Sequence, residues 1–277
     1  MPRRGVNSQM FALDSPPPRQ IELAGTAYRL LRVFKHDFWA ATCLYEPASG
    51  TSKPKAVVKF SRTQPFLGLP TSWIGRMLAS REEGAYAALA GVEGVPRWLG
   101  RLGESSYAVQ FIEGRPLDHV KTPPAGFFDR LRRVFDAIHA RGVAYGDANK
   151  RSNIIIAEDG AAFLVDYQLT FRRRDNLPWP MNAISRALFK YIAGRDLYHL
   201  YKHKRRMAPN ETTESEAAIS RTRGPLHNLH RKLTDPYRFL RRRLLRRWHR
   251  KGTLVSPTED LEDHWQPEKR TWREERK

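Results

Sequence analysis

The sequence predicts an α+β fold of two lobes. The first is mainly antiparallel sheet with one helix, and the second is shortened and mainly helical. Three observations predict it. Short apolar runs at residues 27–34, 39–45 and 56–60, separated by polar or Gly/Pro-bearing turns, read as neighbouring strands. Helical periods follow at 73–89 and 127–141. Between and after them, 153–157 and 161–165 read as a hairpin about the turn Glu158-Asp159-Gly160.

The elements follow in order. Residues 1–20 are proline-rich with little apolar periodicity and read as a flexible arm. The three strand runs come next, and Lys59 interrupts the third, Ala56-Val57-Val58-Lys59-Phe60, where a lysine either snorkels to water or meets an anion. The helix at 73–89 has apolar positions 74, 78, 85 and 89 and many small residues, with Glu82 and Glu83 adjacent in its middle. Adjacent helical positions lie about 100° apart, so one of the two points inward, and Glu82 is the better placed. Two more strands are expected at 97–102 and 106–112. The helix at 127–141 carries apolar positions 127, 131, 134, 135 and 138 and stops at Gly142. A helix over 182–201, a polar linker over 205–230, a basic amphipathic helix over 231–255 and a charged tail over 256–277 complete the chain. The expected lobes span 21–112 and 113–204.

Composition narrows the function classes. The 277 residues are 40% hydrophobic with seven Trp, enough for a sizeable core. One cysteine, Cys43, excludes an intrachain disulfide framework and suits a cytoplasmic setting. No apolar run approaches a bilayer-spanning length, and no secretory signal is expected at the N-terminus. The net charge of +20 is uneven: residues 1–171 carry 22 basic and 16 acidic side chains, net +6, and 172–277 carry 27 and 13, net +14. The 236–251 segment presents Tyr237, Leu240, Leu244, Leu245 and Trp248 among arginines. That pattern suits an anionic membrane surface, completion of the second lobe's core, or, least favoured, a nucleic-acid backbone.

Chemistry concentrates around the hairpin. Asp147 precedes its first strand, Asn153 opens that strand, and Asp166 closes the second. An ionised carboxylate at the end of a buried hairpin must be solvated, capped or opposed by a cation. Two acids and an amide at one edge point to Mg²⁺, a hard cation that takes oxygen ligands.

This ordered set resembles the protein-kinase-like superfamily, and within it the bacterial lipopolysaccharide (Kdo/heptose) kinase-like family, over roughly residues 25–171. The resemblance implies a two-lobed kinase-like fold that uses ATP and Mg²⁺. It gives Asp147 the orientation of the acceptor hydroxyl, Asn153 and Asp166 the metal, and Lys59, steadied by Glu82, the α/β-phosphates. The run Tyr107–Gly114 resembles the hinge that holds adenine through backbone groups, with Gln110 in the gatekeeper position and Ile112 beside it. Lys150 and Arg151 either contact the transferred phosphate or an anionic substrate, or form a solvated loop; of the two, Lys150 is the catalytic candidate.

The sequence also departs from the pattern. Asn153 follows Asp147 by six residues where five are usual, which leaves Ser152 as the competing position. The metal-binding element reads Asp166-Tyr167-Gln168, without its glycine. The phosphate-covering turn, Phe34-Lys35-His36-Asp37-Phe38-Trp39-Ala40, has no glycine at all. It is expected either to aim backbone NH groups at phosphate, with Lys35 or His36 assisting, or to serve as packing. Gly146 replaces an arginine that links the catalytic loop to a phosphorylated segment, so switching of that kind is not expected. No A-P-E element follows Phe171, which argues for a small or lipid-linked acceptor. The expected activity is therefore ATP-dependent phosphorylation of a sugar hydroxyl on a lipopolysaccharide-like or other lipid-linked glycan. The expected location is the cytoplasm, with peripheral contact at the inner face of the membrane. The alternatives are a protein serine/threonine kinase and a pseudokinase scaffold at the membrane. Nucleic acid is an unlikely partner on the same reasoning.

Overall fold

The computed structural model describes residues 10–48, 52–66 and 69–221, together with Arg243 and Thr258. Apart from those two residues, the expected basic helix at 231–255 and the tail at 256–277 lie outside the described residues, as does the start of the arm. The chain divides into two units. The first comprises residues up to Ser80, Leu99–Phe111, and Arg243 and Thr258; the second comprises Arg81–Trp98 and the residues from Ile112 onward. A sheet-rich unit followed by a mainly helical one, in this element order, is the α+β class expected from the sequence.

The first unit is built on one six-stranded sheet. Its strands are β1 (Gln20–Leu23), β2 (Thr26–His36), β3 (Ala40–Pro47), β4 (Ala56–Ser61), β5 (Trp98–Arg101) and β6 (Ser106–Gln110), in spatial order β1-β2-β3-β4-β6-β5. The β1–β4 and β4–β6 pairings are antiparallel. Alternation decides which side is buried. Ala56, Val58 and Phe60 of β4 enter a core with Val33, Ala41, Cys43, Tyr45 and Ala108, whereas Val57 and Lys59 emerge on the other face. Burial of the Cys43 thiol pushes its pKa up to about 12, so it is an inert core group.

The arm departs from expectation over its described part. Phe11 and Ala12 are buried, Ala12 N donates to Asp37 O (2.8 Å), Leu13 N donates to His36 Nε2 (3.1 Å), and Tyr45 Oη donates to Pro18 O (2.7 Å). Residues with little periodicity are held here by backbone bonds to the sheet, which composition does not report.

Helix α1 (Ser72–Ala88) runs from the first unit into the second, and Gly75, Ala79, Glu82, Ala85, Tyr86 and Leu89 form its buried line. Gly75 is required by close approach, since a Cβ there would stand 2.1 Å from Arg62 O. The stretch 81–98, expected in the first lobe, belongs to the second unit. Tyr86 packs edge-on against Tyr167 (5.0 Å), Gly94 O accepts from Leu164 N (2.9 Å), and Arg81 Nη2 donates to Thr170 O (3.4 Å).

In the second unit, β7 (Gly114–Pro116) pairs with β9 (Ile154–Ala157), which pairs with β10 (Ala162–Leu164); β8 (Val143–Ala144) pairs with β11 (Phe171–Arg172). Helix α2 (Phe127–Ala140) buries Phe127, Phe128, Leu131, Val134, Phe135 and Ile138 along one stripe. Each such side chain contributes about 1.5–3 kcal/mol by leaving water. Helix α3 (Met181–Met207) continues past the expected end, and α4 (Glu214–Arg221) follows. Residues 205–221 are therefore helical for the most part, not a linker. Two acids of this stretch are engaged: Lys204 Nζ pairs with Glu216 and with Asp129 of α2 (both 2.8 Å), and Glu211 accepts from Gly126 N (3.2 Å), the residue capping the start of α2. Among the described residues, no helix is long and apolar enough to cross a membrane.

Candidate active site

The site is assembled at one end of the β9–β10 hairpin. Val165 N donates to Asn153 O (3.0 Å), so the residue before the first strand and the residue after the second are tied together, and Asn153 and Asp166 share that end. The six-residue spacing from Asp147 is absorbed by two consecutive turns. Lys150 N donates to Asp147 O (3.0 Å), and Asn153 N donates to Lys150 O (3.1 Å), the second turn being a short 3₁₀ segment, Arg151–Asn153. The extra residue is thus wound into the loop, and Asn153 Nδ2 comes back to donate to Asp147 Oδ2 (2.9 Å). Asn153 is buried, whereas Ser152 is only half-buried and touches the Asn153 amide oxygen at 3.5 Å. Of the two competing positions, it is Asn153 that meets Asp147.

Lys150 completes the group. Its Nζ lies 3.9 Å from Asp147 Oδ2 and 3.9 Å from Asp166 Oδ2. The two carboxylates therefore share one ammonium, and those oxygens are no more than about 8 Å apart, twice 3.9 Å. Lys150 is about half exposed, which screens both attractions. Asp166 adopts a left-handed backbone, φ +66°, one of two such non-glycine residues among those described. An L-residue held there costs on the order of 1–2 kcal/mol, a strain commonly stored at functional positions.

Buried polar groups fix the loop from behind. Asp196 of α3, almost wholly buried, accepts from Tyr145 N (2.7 Å), Gly146 N (2.9 Å) and His139 Nε2 (3.1 Å). His203 Nε2 donates to Ala148 O (3.1 Å), which assigns the proton to that nitrogen, and burial pulls the imidazole pKa down to about 4. Tyr145 Oη donates to Val165 O, and its ring meets Tyr167 edge-on at 5.3 Å. Burial first, then the nearby Asp166 carboxylate, pushes the Tyr145 phenol well above its usual range, so it stays a neutral donor. Gly146 has φ +80°, and a Cβ there would stand 2.7 Å from Leu169 O. The arginine of the kinase pattern has no room at this position. Asp196 and His203 were not singled out in the sequence. Their only trace was a polar residue recurring on the buried side of α3, at 196, 199, 203 and 204.

The remaining candidates lie in their own elements. Lys59 is half-buried on the outer face of β4, between Thr42 of β3 and Tyr107 of β6 in register. Glu82 is fully buried on α1, whereas Glu83 is half-buried; the Glu82 and Asp166 carboxylates both act on the Tyr86 phenol, raised chiefly by burial. Gln110 ends β6, and the chain passes from the first unit to the second between Phe111 and Ile112.

The glycine-free turn resolves as packing. Asp37 Oδ1 accepts from Trp39 N (2.8 Å) and Ala40 N (3.0 Å), and its other oxygen is ion-paired with Lys35. Burial alone would raise the Asp37 carboxyl, but Lys35 and the two amides overcome it and hold the pKa below the usual value. The amides expected to face phosphate are bound to the turn's own carboxylate. His36 is buried against Leu13 N and Thr258 Oγ1 (3.2 Å), and Phe38 lies under the Arg62 guanidinium at 4.0 Å. Arg62 also donates to Phe11 O, Phe38 O, Pro65 O and Thr71 Oγ1 at 2.9–3.1 Å, locking the turn to the arm.

No protein-family model matches the chain, and no curated protein matches it. Among solved structures, the crystal structure of the Rio2 kinase-ADP/Mg²⁺-phosphoaspartate complex from Chaetomium thermophilum is similar, with a TM-score of 0.49 at 14% sequence identity. The match covers 73% of this chain and 60% of that one, so the chain spans less than two thirds of that structure's length.

Proposed function

We propose that the chain is an ATP-dependent phosphotransferase acting on an alcohol group, with a sugar hydroxyl on a lipopolysaccharide-like or other lipid-linked glycan as acceptor. The observation that carries this reading is the convergence of Asp147, Lys150, Asn153 and Asp166 at the hairpin end, with Asn153 bonded to Asp147.

The donor set fits Mg²⁺. Asn153 spends its amide NH₂ on Asp147, which leaves its carbonyl oxygen as a hard donor at the hairpin end that also carries Asp166. Among the described residues no group of three or more His, Cys, Asp or Glu gathers for a metal, so the ion would draw its other ligands from phosphate and water. Asn153 and Asp166 would hold the ion, which would supply charge neutralisation to the phosphates.

The chain's own groups do the rest. Asp147, oriented by Asn153, accepts a hydrogen bond from the acceptor hydroxyl and aligns it. Lys150 offsets negative charge developing next to both acids. Lys59 takes the α/β-phosphates, and the backbone at the end of β6 takes the base. The test is Mg-ATP turnover by the purified chain with a lipid-linked glycan extract, compared with Asp147→Ala and Asp166→Ala. Turnover that rises with the extract and is lost in both variants is expected; substantial Mg²⁺-dependent turnover by Asp166→Ala would sink the assignment.

One observation favours a second reading, a pseudokinase scaffold: the turn that would cover phosphate is capped by its own Asp37. Absence of ATP binding by the wild type at millimolar Mg-ATP would select it.

A further inference from the structure

We infer that the segment from Leu169 through the first three turns of α3 is a docking surface for an anionic phospholipid bilayer. The inference stands apart from the phosphotransfer reading, since it is tested by binding.

The aliphatic positions in the first turns of α3 do not face the core. Its buried residues are Ser185, Asp196, His199, Leu200, Tyr201, His203 and Lys204, most of them polar. The aliphatic residues of its first turns point outward: Met181, Ile184 and Leu188 are 45–55% exposed, Trp179 just before the helix is 86% exposed, and Leu169 is 61% exposed. Met181, Ile184 and Leu188 stand at i, i+3 and i+7, on one face. One turn further, Ile192 on the same face approaches Gly146, as does the Leu169 carbonyl. The exposed stripe therefore leads along α3 to the residue before Asp147.

Charge selects the occupant. Residues 167–195 contain six Arg or Lys and one acid, Asp175, which is paired with Arg173 (3.0 Å) and Arg186 (3.2 Å). Arg172 and Arg174 are exposed just before the stripe, whereas Lys190, two residues past Leu188, is exposed on the other side of the helix. An exposed Trp and aliphatic face preceded by exposed cations matches the headgroup and acyl boundary of an anionic membrane, where the aromatic anchors and each cation adds affinity.

The experiment is co-sedimentation of the full chain with phosphatidylcholine vesicles, with and without about 30% phosphatidylglycerol, at about 0.15 M salt, where surface charge is screened beyond roughly 8 Å. Binding to the anionic vesicles alone is expected. The triple variant Trp179→Ser, Ile184→Ser, Leu188→Ser and the double variant Arg172→Glu, Arg174→Glu should each lower partitioning about tenfold or more. All five positions are exposed, and circular dichroism should show an unchanged melt. A blue shift of tryptophan emission on vesicle binding should shrink in Trp179→Phe. A third variant, Arg241, Arg242, Arg246 and Arg247→Gln, separates the two basic regions. If it alone abolishes binding while the triple variant binds like wild type, the proposal is overturned. Equal binding to neutral vesicles, or duplex DNA binding tighter than vesicle binding and lost in the same α3 variants, overturns it as well.

Discussion

Asp166 carries two costs at once. Its backbone sits at φ +66°, and its carboxylate shares Lys150 with Asp147, so two like charges occupy one small region. Asn tolerates the left-handed conformation as well as Asp does and carries no charge. Asp166→Asn is therefore expected to leave stability unchanged or raise it by about 0.5–1 kcal/mol, while Mg-ATP turnover falls about 10³-fold; thermal melts and initial rates check both. Gly146 is the opposite case. Gly146→Ala forces a Cβ into the left-handed region within 2.7 Å of Leu169 O, at a cost of roughly 2 kcal/mol or more, and it displaces the neighbouring Asp147. The melting temperature should drop by several degrees and turnover should fall with it.

At the scale of elements, the loop that carries Asp147 is held by α3 through buried polar groups, and one of them titrates. The His203 pKa is depressed in the folded chain, to about 4 from 6.5, so the unfolded chain binds its proton first. The stability that His203 contributes is complete above pH 6.5 and is lost as pH falls towards 4, by roughly 3 kcal/mol over the window. His203→Gln keeps a donor for Ala148 O without a titratable ring. Its melting temperature should be less sensitive to pH between 6.5 and 4 than that of wild type; equal slopes would refute the role. The β2–β3 turn makes a second prediction. Asp37→Ala removes the cap from two amides and the partner from Lys35, which should destabilise by about 1–2 kcal/mol. Mg-ATP affinity should stay within about twofold of wild type, since those amides serve the turn, whereas Lys59→Ala should weaken it about tenfold or more.

At the scale of the molecule, each unit has its own core and carries its own share of the candidate residues. A nucleotide that binds only the folded chain raises apparent stability by about 2.7 kcal/mol at a hundredfold excess over its dissociation constant. Mg-ATP should raise the wild-type melting temperature, and Lys59→Ala should abolish the shift. The net charge of +20 belongs mainly to the later part of the sequence, and raising ionic strength should weaken any binding to anionic surfaces in proportion.

Local pattern determined a good part of this protein. Alternation set β2, β3, β4 and β6, the helical period set α1 and α2, and the hairpin carried Asn153 and Asp166 to a common end, because each depends on residues close in sequence. The preference for Glu82 over Glu83 also followed from helical geometry, and the structure buries Glu82. Tertiary structure alone decided the rest. The arm is fixed by backbone bonds to the sheet, and Asp37 acts as a cap because its turn closes on it. Glu216 is paired with Lys204 across helices, and the buried side of α3 carries Asp196 and His203, which hold the loop. In each case the deciding partner lies in another element or on the far side of a turn, and a one-dimensional period carries no information about such a partner.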